Sequence, residues 1–323
     1  MSTEITQDIG HGITRIDTGL IRPGMAACYV MQHQDEVAII ETGTLHTVPT
    51  LLNFLDRNGI GYEQVRYVIP THVHLDHAGG VGGLMQKLPN ATLVVHPRGA
   101  RHMISPEKLK AGSLAVYGEA AFARMYGDII PVDEHRVMAA KDNTQVDLGG
   151  RTLNFLDTPG HAWHHFCVHD PLSCGIFTGD TFGIAYPELG TAASPFIMPT
   201  TTPVQFEPDE LKVSIQRLMS LTPERMYLTH YGMVTSPDKL AGPLLEQIDD
   251  YVNIATQYRD STDQETEIAE ALTQYTLQRL RAHHGELDET AALKILTMDM
   301  RLNAQGLVVW LSRQQLRCKQ ESR

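Results

Sequence analysis

The stretch that begins at residue 71 reads THVHLDHAGG and places three histidines and one aspartate within six positions. Histidine accounts for only 16 of the 323 residues, so this crowding has a chemical cause. Neutral imidazole and carboxylate are the ligands that zinc and similar divalent ions take in proteins. The stretch follows the apolar run Val65–Pro70, and extended backbone would put His72, His74 and Asp76 on one side. We therefore predict a metal site at the end of a buried strand.

Three later apolar runs are followed in the same way by a histidine or an aspartate. These are His161 after Thr152–Asp157, Asp180 after Gly175–Thr178, and His230 after Met226–Thr229. Ligands at the ends of strands converge at one edge of a sheet, where a rigid scaffold assembles a site from distant parts of the chain.

Short apolar runs alternate with helical stretches as far as about residue 236. This alternation predicts two similar halves of strands and helices, and hence two sheets covered by helices. Val48–Asn58 and Ala78–Lys87 are expected to be helices. After Pro237 the strand signal stops, and three long segments carry helical periodicity. We predict a catalytic domain at residues 1–236 and a C-terminal helical extension at residues 237–323, through which a homodimer would form.

The order of these motifs resembles that of the metallo-β-lactamase superfamily of metal-dependent hydrolases, over roughly residues 13–236. The resemblance implies an α/β fold, the αββα sandwich of that family, here with a C-terminal helical appendage. It also implies two divalent metal ions in each chain, zinc in the first place, with iron or manganese as alternatives. The implied ligands are His72, His74 and His161 for one ion, Asp76, His77 and His230 for the other, and Asp180 as the bridge.

Residues near these motifs have further expected roles. Glu41 begins a Glu-Thr-Gly turn that matches the family's turn behind the ligands, where Asp is more usual. His165 sits where many members carry a second histidine after TPGH, and we expect it to support the ligands. The phenol of Tyr186 would protonate a leaving group or hold an oxyanion. The proline-punctuated segment Pro195–Pro203 would form a wall of the substrate pocket.

The resemblance implies hydrolysis by a hydroxide that bridges two metals, with Asp76 and Asp180 orienting it as catalytic residues. The net charge of −12 argues against a nucleic-acid partner. A small ester, lactone or thioester is the expected substrate. One alternative is a non-haem iron redox protein of the same fold, either an oxygen-binding diiron protein or a persulfide dioxygenase. The diiron proteins generally carry Glu where this chain has His74. A second alternative is a binding or regulatory protein that retains the metals.

The first residues, MSTEITQDIGHG, lack a basic flank followed by an apolar core, so no signal peptide is expected. No apolar run approaches the roughly 18 residues that a spanning helix needs. The four cysteines have no CxxC spacing, which suits a reduced compartment. We therefore expect a cytoplasmic protein with a small-molecule substrate and no membrane partner.

Overall fold

The computed structural model describes residues 5–191, 194–201, 204–284 and 286–321. The chain divides into two compact units. The first unit consists of Met1–Asp157, His164–Gly179 and Thr222–Thr235. The second consists of Thr158–Trp163, Asp180–Leu221 and Ser236–Arg323.

The first sheet of the first unit has seven strands that lie side by side in chain order. They are β1 Thr6–Asp8, β2 Ile13–Asp17, β3 Ala27–His33, β4 Glu36–Ile40, β5 Val65–Ile69, β6 Thr92–Val95 and β7 Val137–Ala139. Strands β1 to β4 pair antiparallel, and β4 to β7 pair parallel. Parallel neighbours need long crossovers, and helix α1 (Val48–Arg57) supplies the one between β4 and β5.

The second sheet has six strands in the order β13-β12-β11-β10-β9-β8. They are β8 Gln145–Leu148, β9 Arg151–Asp157, β10 Phe166–Asp170, β11 Gly175–Gly179, β12 Arg225–Leu228 and β13 Gly232–Thr235. Strands β11 and β12 are parallel, and the other pairs are antiparallel. The second sheet therefore brings the chain segments before Asp180 and His230 next to each other.

Aromatic side chains join the two sheets. The ring of Tyr29 on β3 lies 5.2 Å from that of Phe177 and 5.8 Å from that of Tyr227, both on the second sheet. The Tyr29 hydroxyl donates a hydrogen bond to the carbonyl of Leu228. The buried cluster of the first sheet also includes Leu51 and Leu55 of α1 and Leu84. The predicted arrangement of two sheets with helical cover is confirmed.

The helix predicted over Ala78–Lys87 is wrong in its bounds. The chain forms α2 over Leu75–Ala78 and α3 over Val81–Met85, with a break at Gly79 and Gly80. A Cβ on either glycine would collide with the backbone of residues 42–44 or of Leu75, so only glycine fits at both positions. The helix is interrupted because the backbone N–H of Gly80 donates to the carbonyl of Gly43 at 3.0 Å. Asp76 therefore lies on a helix and not on the extended backbone that the strand pattern predicted. Further along are α4 Pro97–Ile104, α5 Glu107–Tyr117 and α6 Glu119–Tyr126.

The second unit is mostly helical. Its helices are α7 Pro208–Met219, α8 Pro237–Gln257, α9 Gln264–His284 and α10 Glu289–Glu321. Helices α9 and α10 pack through apolar side chains that are closed to solvent, among them Leu272, Leu280, Leu296 and Leu307. The predicted C-terminal helical region is confirmed, while the domain boundary at residue 236 stays a prediction. Within the described residues, no helix is long and apolar enough to cross a membrane.

Candidate metal centre

The histidine-rich stretch begins two residues after β5 ends at Ile69. His72 lies on the connecting loop, and His74 is the N-cap of α2 with extended backbone (φ −65°, ψ 150°). Asp76 and His77 follow in the single turn of α2. The carbonyl of His77 accepts hydrogen bonds from the backbone and the side chain of Thr42, both at 2.8 Å. A loop and a short helix, held in place by these two hydrogen bonds from Thr42, thus carry the four side chains.

Glu41 is a buried carboxylate that organises this region. It directly follows β4, is 1% exposed, and has a left-handed backbone with φ of 61°. Its carboxylate accepts hydrogen bonds from Thr71 (2.5 Å from Oγ1 and 3.1 Å from N), from Thr229 Oγ1 (2.9 Å) and from His77 Nδ1 (3.0 Å). A non-glycine residue in this conformation is costly, and such strain persists where the surroundings hold it in place. Glu41 therefore ties together the segments that carry His72, His77 and His230.

Asp76 lies beside the imidazole rings of His77 and His230, and Nδ1 of each ring forms a hydrogen bond with another group. Its Oδ2 lies 3.6 Å from His77 Nε2 and 3.3 Å from His230 Nε2. Nδ1 of His77 donates to Glu41, and Nδ1 of His230 donates to the carbonyl of Met25 at 2.8 Å. These contacts place the proton on Nδ1 and leave Nε2 as the donor atom for a metal. A carboxylate and two oriented imidazoles are a ligand set suited to a divalent ion.

His72 and His74 approach each other through ring nitrogens, with His72 Nε2 2.8 Å from His74 Nδ1. Nδ1 of His72 lies 3.2 Å from Thr71 Oγ1. The ring of His165 is fully buried and stacks on that of His72, with the ring centroids 4.9 Å apart. Its supporting role stays a prediction. The ring of His164 stacks on His72 at 6.1 Å, and its Nδ1 accepts a hydrogen bond from the backbone of Val73.

In the second unit, His161 and Asp180 lie close together. His161 Nε2 is 3.2 Å from Asp180 Oδ2, and both side chains are buried. A glycine precedes each of these two residues, and in both cases the backbone conformation and the close approach of neighbouring groups require a residue without a Cβ. Gly160 has φ of 126°, and a Cβ there would collide with the backbone of Leu211. Gly179 has φ of 49°, and a Cβ there would collide with Thr71 and His165.

Among the described residues of the first unit, the ligand atoms of Asp76, His77 and His230 all lie within 4.8 Å of one another, which a shared metal ion requires. The other predicted ligands of that unit are His72 and His74, and those of the second unit are His161 and Asp180. Their roles as ligands stay a prediction that metal analysis has to test.

Tyr186 is 2% exposed, and its hydroxyl donates to Asp299 Oδ1 of α10 at 3.2 Å. Its catalytic role stays a prediction. In the segment Pro195–Pro203, Phe196 and Met198 are buried, while residues 202 and 203 lie outside the described residues. Met198 pairs with Ile184 through two backbone hydrogen bonds of 2.9 and 3.0 Å. Whether this segment forms a pocket wall also stays a prediction.

Sequence reasoning missed the residues that hold Glu41. Thr71 and Thr229 donate their hydroxyls to its carboxylate, and each immediately precedes a predicted ligand. This repeated Thr-His pair was the signal available in the sequence. The carbonyl of Met25, which orients His230, carried no such signal, because a backbone group can belong to any residue.

The family model of the metallo-beta-lactamase superfamily matches residues 21–230. This match covers well over half of the chain and includes every predicted ligand. The chain belongs to the metallo-beta-lactamase superfamily. The α/β fold with two mixed sheets and a C-terminal helical region, expected from the resemblance, is thereby confirmed.

Among superfamily proteins, the chain is similar to the metallo-beta-lactamase fold-containing protein ST1585 of Sulfurisphaera tokodaii. The two are 28% identical over 230 residues, which cover 70% of this chain and 80% of ST1585. The crystal structure of ST1585 aligns with a TM-score of 0.64 over 92% of this chain and 98% of that one, at 23% identity. A structural likeness at this identity shows the shared fold.

Two relatives carry names that state a reaction. A hydroxyacylglutathione hydrolase of Vibrio vulnificus is 27% identical over 149 residues, which cover 46% of this chain and 45% of the relative. The N-acyl homoserine lactonase AttM of Azorhizobium caulinodans is 32% identical over 118 residues, which cover 36% of this chain and 40% of the relative. In both cases the chain matches less than half of the relative.

Proposed function

We propose that this chain is a metal-dependent hydrolase of a small ester, lactone or thioester. The observation that carries the proposal is the placement of Asp76 Oδ2 beside the Nε2 atoms of His77 and His230. Nδ1 of each ring forms a hydrogen bond, to Glu41 or to the carbonyl of Met25, and this bond orients Nε2 before any ion binds. The lactonase and the thioester hydrolase among the relatives support the substrate class.

The proposed centre would hold two divalent ions. The donor atoms are imidazole nitrogens and carboxylate oxygens, which zinc, iron and manganese all accept. When bound, such ions lower the pKa of water and polarise the acyl oxygen of a substrate. The predicted ligands of the first ion are His72, His74 and His161, those of the second are Asp76, His77 and His230, and Asp180 belongs to both.

The carboxylates have a role in moving the proton. Hydrolysis forms a bond between a water oxygen and the acyl carbon, breaks the bond to the leaving group, and transfers a proton to that group. Asp76 and Asp180 would orient the attacking water and accept its proton, and one of them would pass the proton on. The phenol of Tyr186 is a second candidate for this donation.

The substrate class rests on charge and on relatives. The chain carries a net charge of −12, which disfavours the phosphate backbone of a nucleic acid. Small neutral acyl compounds meet no such repulsion. The proposed partner is therefore a small molecule.

Assays on a panel of lactones, thioesters, esters and phosphodiesters test the proposal. We expect turnover of at least one acyl substrate, and a loss of more than about 100-fold in Asp180→Ala, since losing outer partners alone costs about 10- to 100-fold in metal sites. Asp260→Ala, which changes an exposed carboxylate, is the control and should keep full turnover.

The redox alternative makes a different prediction for the same sample. It expects bound iron and consumption of oxygen, with no turnover of any acyl substrate. Full activity in Asp180→Ala would contradict the assignment of Asp180, and failure with every acyl substrate would contradict the hydrolase proposal.

A further inference from the structure

The connection between β6 and β7 is longer than the fold requires. These two strands are parallel neighbours, and a parallel crossover needs only about a dozen residues. The connection runs over residues 96–136, and its first helix, α4, packs against β7. Helices α5 (Glu107–Tyr117) and α6 (Glu119–Tyr126) are therefore surplus to the crossover. Segments of this kind commonly carry binding or gating functions.

Few side chains attach α5 and α6 to the first unit. Of the side chains that the structure describes over residues 107–126, only those of Phe122 and Tyr126 are buried. They lie one turn apart on the same face of α6, with ring centroids 5.8 Å apart. Leu109 of α5 is partly buried and packs against the main core. A segment with so little buried apolar surface opens at a lower free energy than the core does.

The segment also has polar contacts at its surface and a glycine at each end of α6. Lys110 pairs with Asp128 at 2.5 Å, but both side chains are exposed, and surface pairs of this kind contribute little stability. His46 Nε2 donates to a backbone carbonyl of α6 at 3.0 Å. Gly118 and Gly127 have left-handed backbones, with φ of 75° and 79°. Small residues at the ends of an element are common hinges.

The buried face of α6 packs on the histidine-rich stretch. Its aromatic side chains belong to an apolar cluster that is distinct from the main core of the first sheet: Leu75, Phe122, Tyr126 and Ile129. Leu75 is 6% exposed and lies between His74 and Asp76 in the chain. It is the first residue of α2, a helix of a single turn. Because so short a helix has little stability of its own, the packing of Leu75 helps to fix the direction of α2.

We propose that α5 and α6 form a hinged clamp that opens separately from the rest of the first unit, and that Phe122 is a positioning residue for the proposed metal centre. Phe122 acts through Leu75. With the clamp closed, α2 presents Asp76 beside the Nε2 atoms of His77 and His230. With the clamp open, Leu75 meets water, and α2 loses its apolar support.

Linkage makes this coupling reciprocal. Whatever holds Asp76 and His77 together stabilises α2 and with it the closed clamp, so metal binding and clamp closure favour each other by the same factor. The coupling rests on the proposed metal centre, whereas the separate opening of the clamp does not. The two parts are therefore tested by different readouts.

Hydrogen exchange followed by mass spectrometry tests the clamp in the full-length chain, without metal and with Zn²⁺. The reference is α1, a helix of the same unit that buries Val48, Leu51 and Leu55. Without metal, we expect amides of α5 and α6 to exchange at least about tenfold faster than those of α1, because their local opening exposes less apolar surface. Zn²⁺ should slow exchange in α5 and α6 by about fivefold or more, the lower range of typical couplings.

Substitutions of Phe122 place the effect in the clamp. Phe122→Ala should speed exchange in α5 and α6 by about tenfold or more, and it should weaken Zn²⁺ affinity, measured by competition with a chromophoric chelator, by about tenfold. Phe122→Leu keeps an apolar side chain and should restore most of both values. Phe54→Ala is the matched control. It removes a partly buried phenylalanine that packs on the main core from α1, and it should change neither value.

The clamp is overturned if α5 and α6 exchange no faster than α1, or if Phe122→Ala and Phe54→Ala give the same exchange there. The positioning role is overturned if Zn²⁺ binds without slowing this exchange, or if Phe122→Ala binds Zn²⁺ as tightly as Phe122→Leu does. Each of these results leaves the metal centre standing. A wild-type chain that binds no Zn²⁺ overturns the coupling together with a zinc centre, while exchange without metal still decides whether the clamp opens separately.

Discussion

Glu41 has its carboxyl group at a place that is almost closed to solvent. Four hydrogen bonds from Thr71, Thr229 and His77 satisfy its two oxygens. A buried carboxylate is tolerated only when it is hydrogen-bonded in this way. We therefore infer that Glu41 orients the predicted ligands, and we expect its substitution to weaken metal binding.

The first prediction concerns Glu41→Gln. The Oε1 atom of Glu41 accepts from His77 and from the hydroxyls of both threonines, and its Oε2 accepts from the backbone N–H of Thr71. An amide has only one acceptor oxygen and no negative charge, so its NH2 group would face a donor at one of these two positions. We expect metal affinity to fall by about 10- to 100-fold, as for other groups that orient metal-bound histidines. Competition with a chromophoric chelator measures this affinity. Glu134→Gln, at an exposed position, should leave it unchanged, and equal affinities in the two variants would contradict the role of Glu41.

A buried ion pair stabilises the second sheet. Arg151 on β9 and Asp170 on β10 are both closed to solvent, and their charged groups lie 2.5 Å apart. Burial alone would raise the pKa of Asp170, but hydrogen bonds from Arg151 and Ser173 and the charge of Arg151 outweigh burial and hold that pKa below its usual value. A carboxylate of this kind stabilises the fold above its unfolded-state pKa. That contribution disappears as the pH falls through the folded-state pKa.

The second prediction follows for Asp170→Asn. It should lower the free energy of unfolding at neutral pH by about 3–5 kcal/mol, because Arg151 would stay buried without a counter-charge. The variant should also lose less stability than the wild type as the pH falls from about 5 to about 2. Urea titrations across this range measure both effects. Asp128→Asn breaks the exposed pair with Lys110 and should cost less than about 1 kcal/mol. Equal losses in the two variants would contradict this account.

At the scale of elements, apolar runs were enough to predict the buried strands β5, β9, β11 and β12, and helical periodicity predicted the long C-terminal helices. Strands β1, β2, β7 and β13 were not predicted. Strands β1 and β7 are only three residues long, and β1 is fully exposed. Packing, not propensity, divides α2 from α3, because Gly79 and Gly80 lie against residues 42–44. Sequence motifs predicted the ligands, whereas the hydrogen bonds of Glu41 depend on tertiary contacts that no local pattern contains.

The third prediction concerns the segment at residues 199–201, which α10 holds in place. Asn303 is 2% exposed, and its Oδ1 accepts from the backbone N–H of Thr201 at 2.7 Å. Thr201 in turn donates its hydroxyl to the carbonyl of Asn303 at 2.9 Å. Asn303→Ala should lower stability by about 1–3 kcal/mol, because it leaves a buried N–H without its acceptor. It should also increase hydrogen exchange at residues 194–201. Gln305→Ala is the control, and equal exchange in both variants would contradict the role of Asn303.

At the scale of the molecule, the C-terminal helices are part of the folded core of their unit. Helix α10 buries Leu296, Met300, Leu307 and Leu311, and it packs most extensively on α9. Without α10, the apolar faces of α8 and α9 would meet water. The length of α10 is therefore a requirement of this unit and not a disposable extension.

The fourth prediction is that a chain ending at residue 288 will aggregate or unfold. A chain ending at Arg317 keeps Leu311 and should behave as the full-length protein does. Size-exclusion chromatography and thermal unfolding distinguish these outcomes. A monodisperse and equally stable 288-residue chain would contradict the view that α10 completes the core of its unit.

The most direct test of the metal centre is the number of ions bound per chain, measured by elemental analysis after exposure to Zn²⁺, Fe²⁺ and Mn²⁺ and removal of the excess. The wild-type protein should bind two ions of at least one of these metals. Asp76→Ala should bind no more than one, while Asp260→Ala should still bind two. A wild-type chain that retains none of the three metals, or an Asp76→Ala chain that still binds two, would contradict the proposed centre.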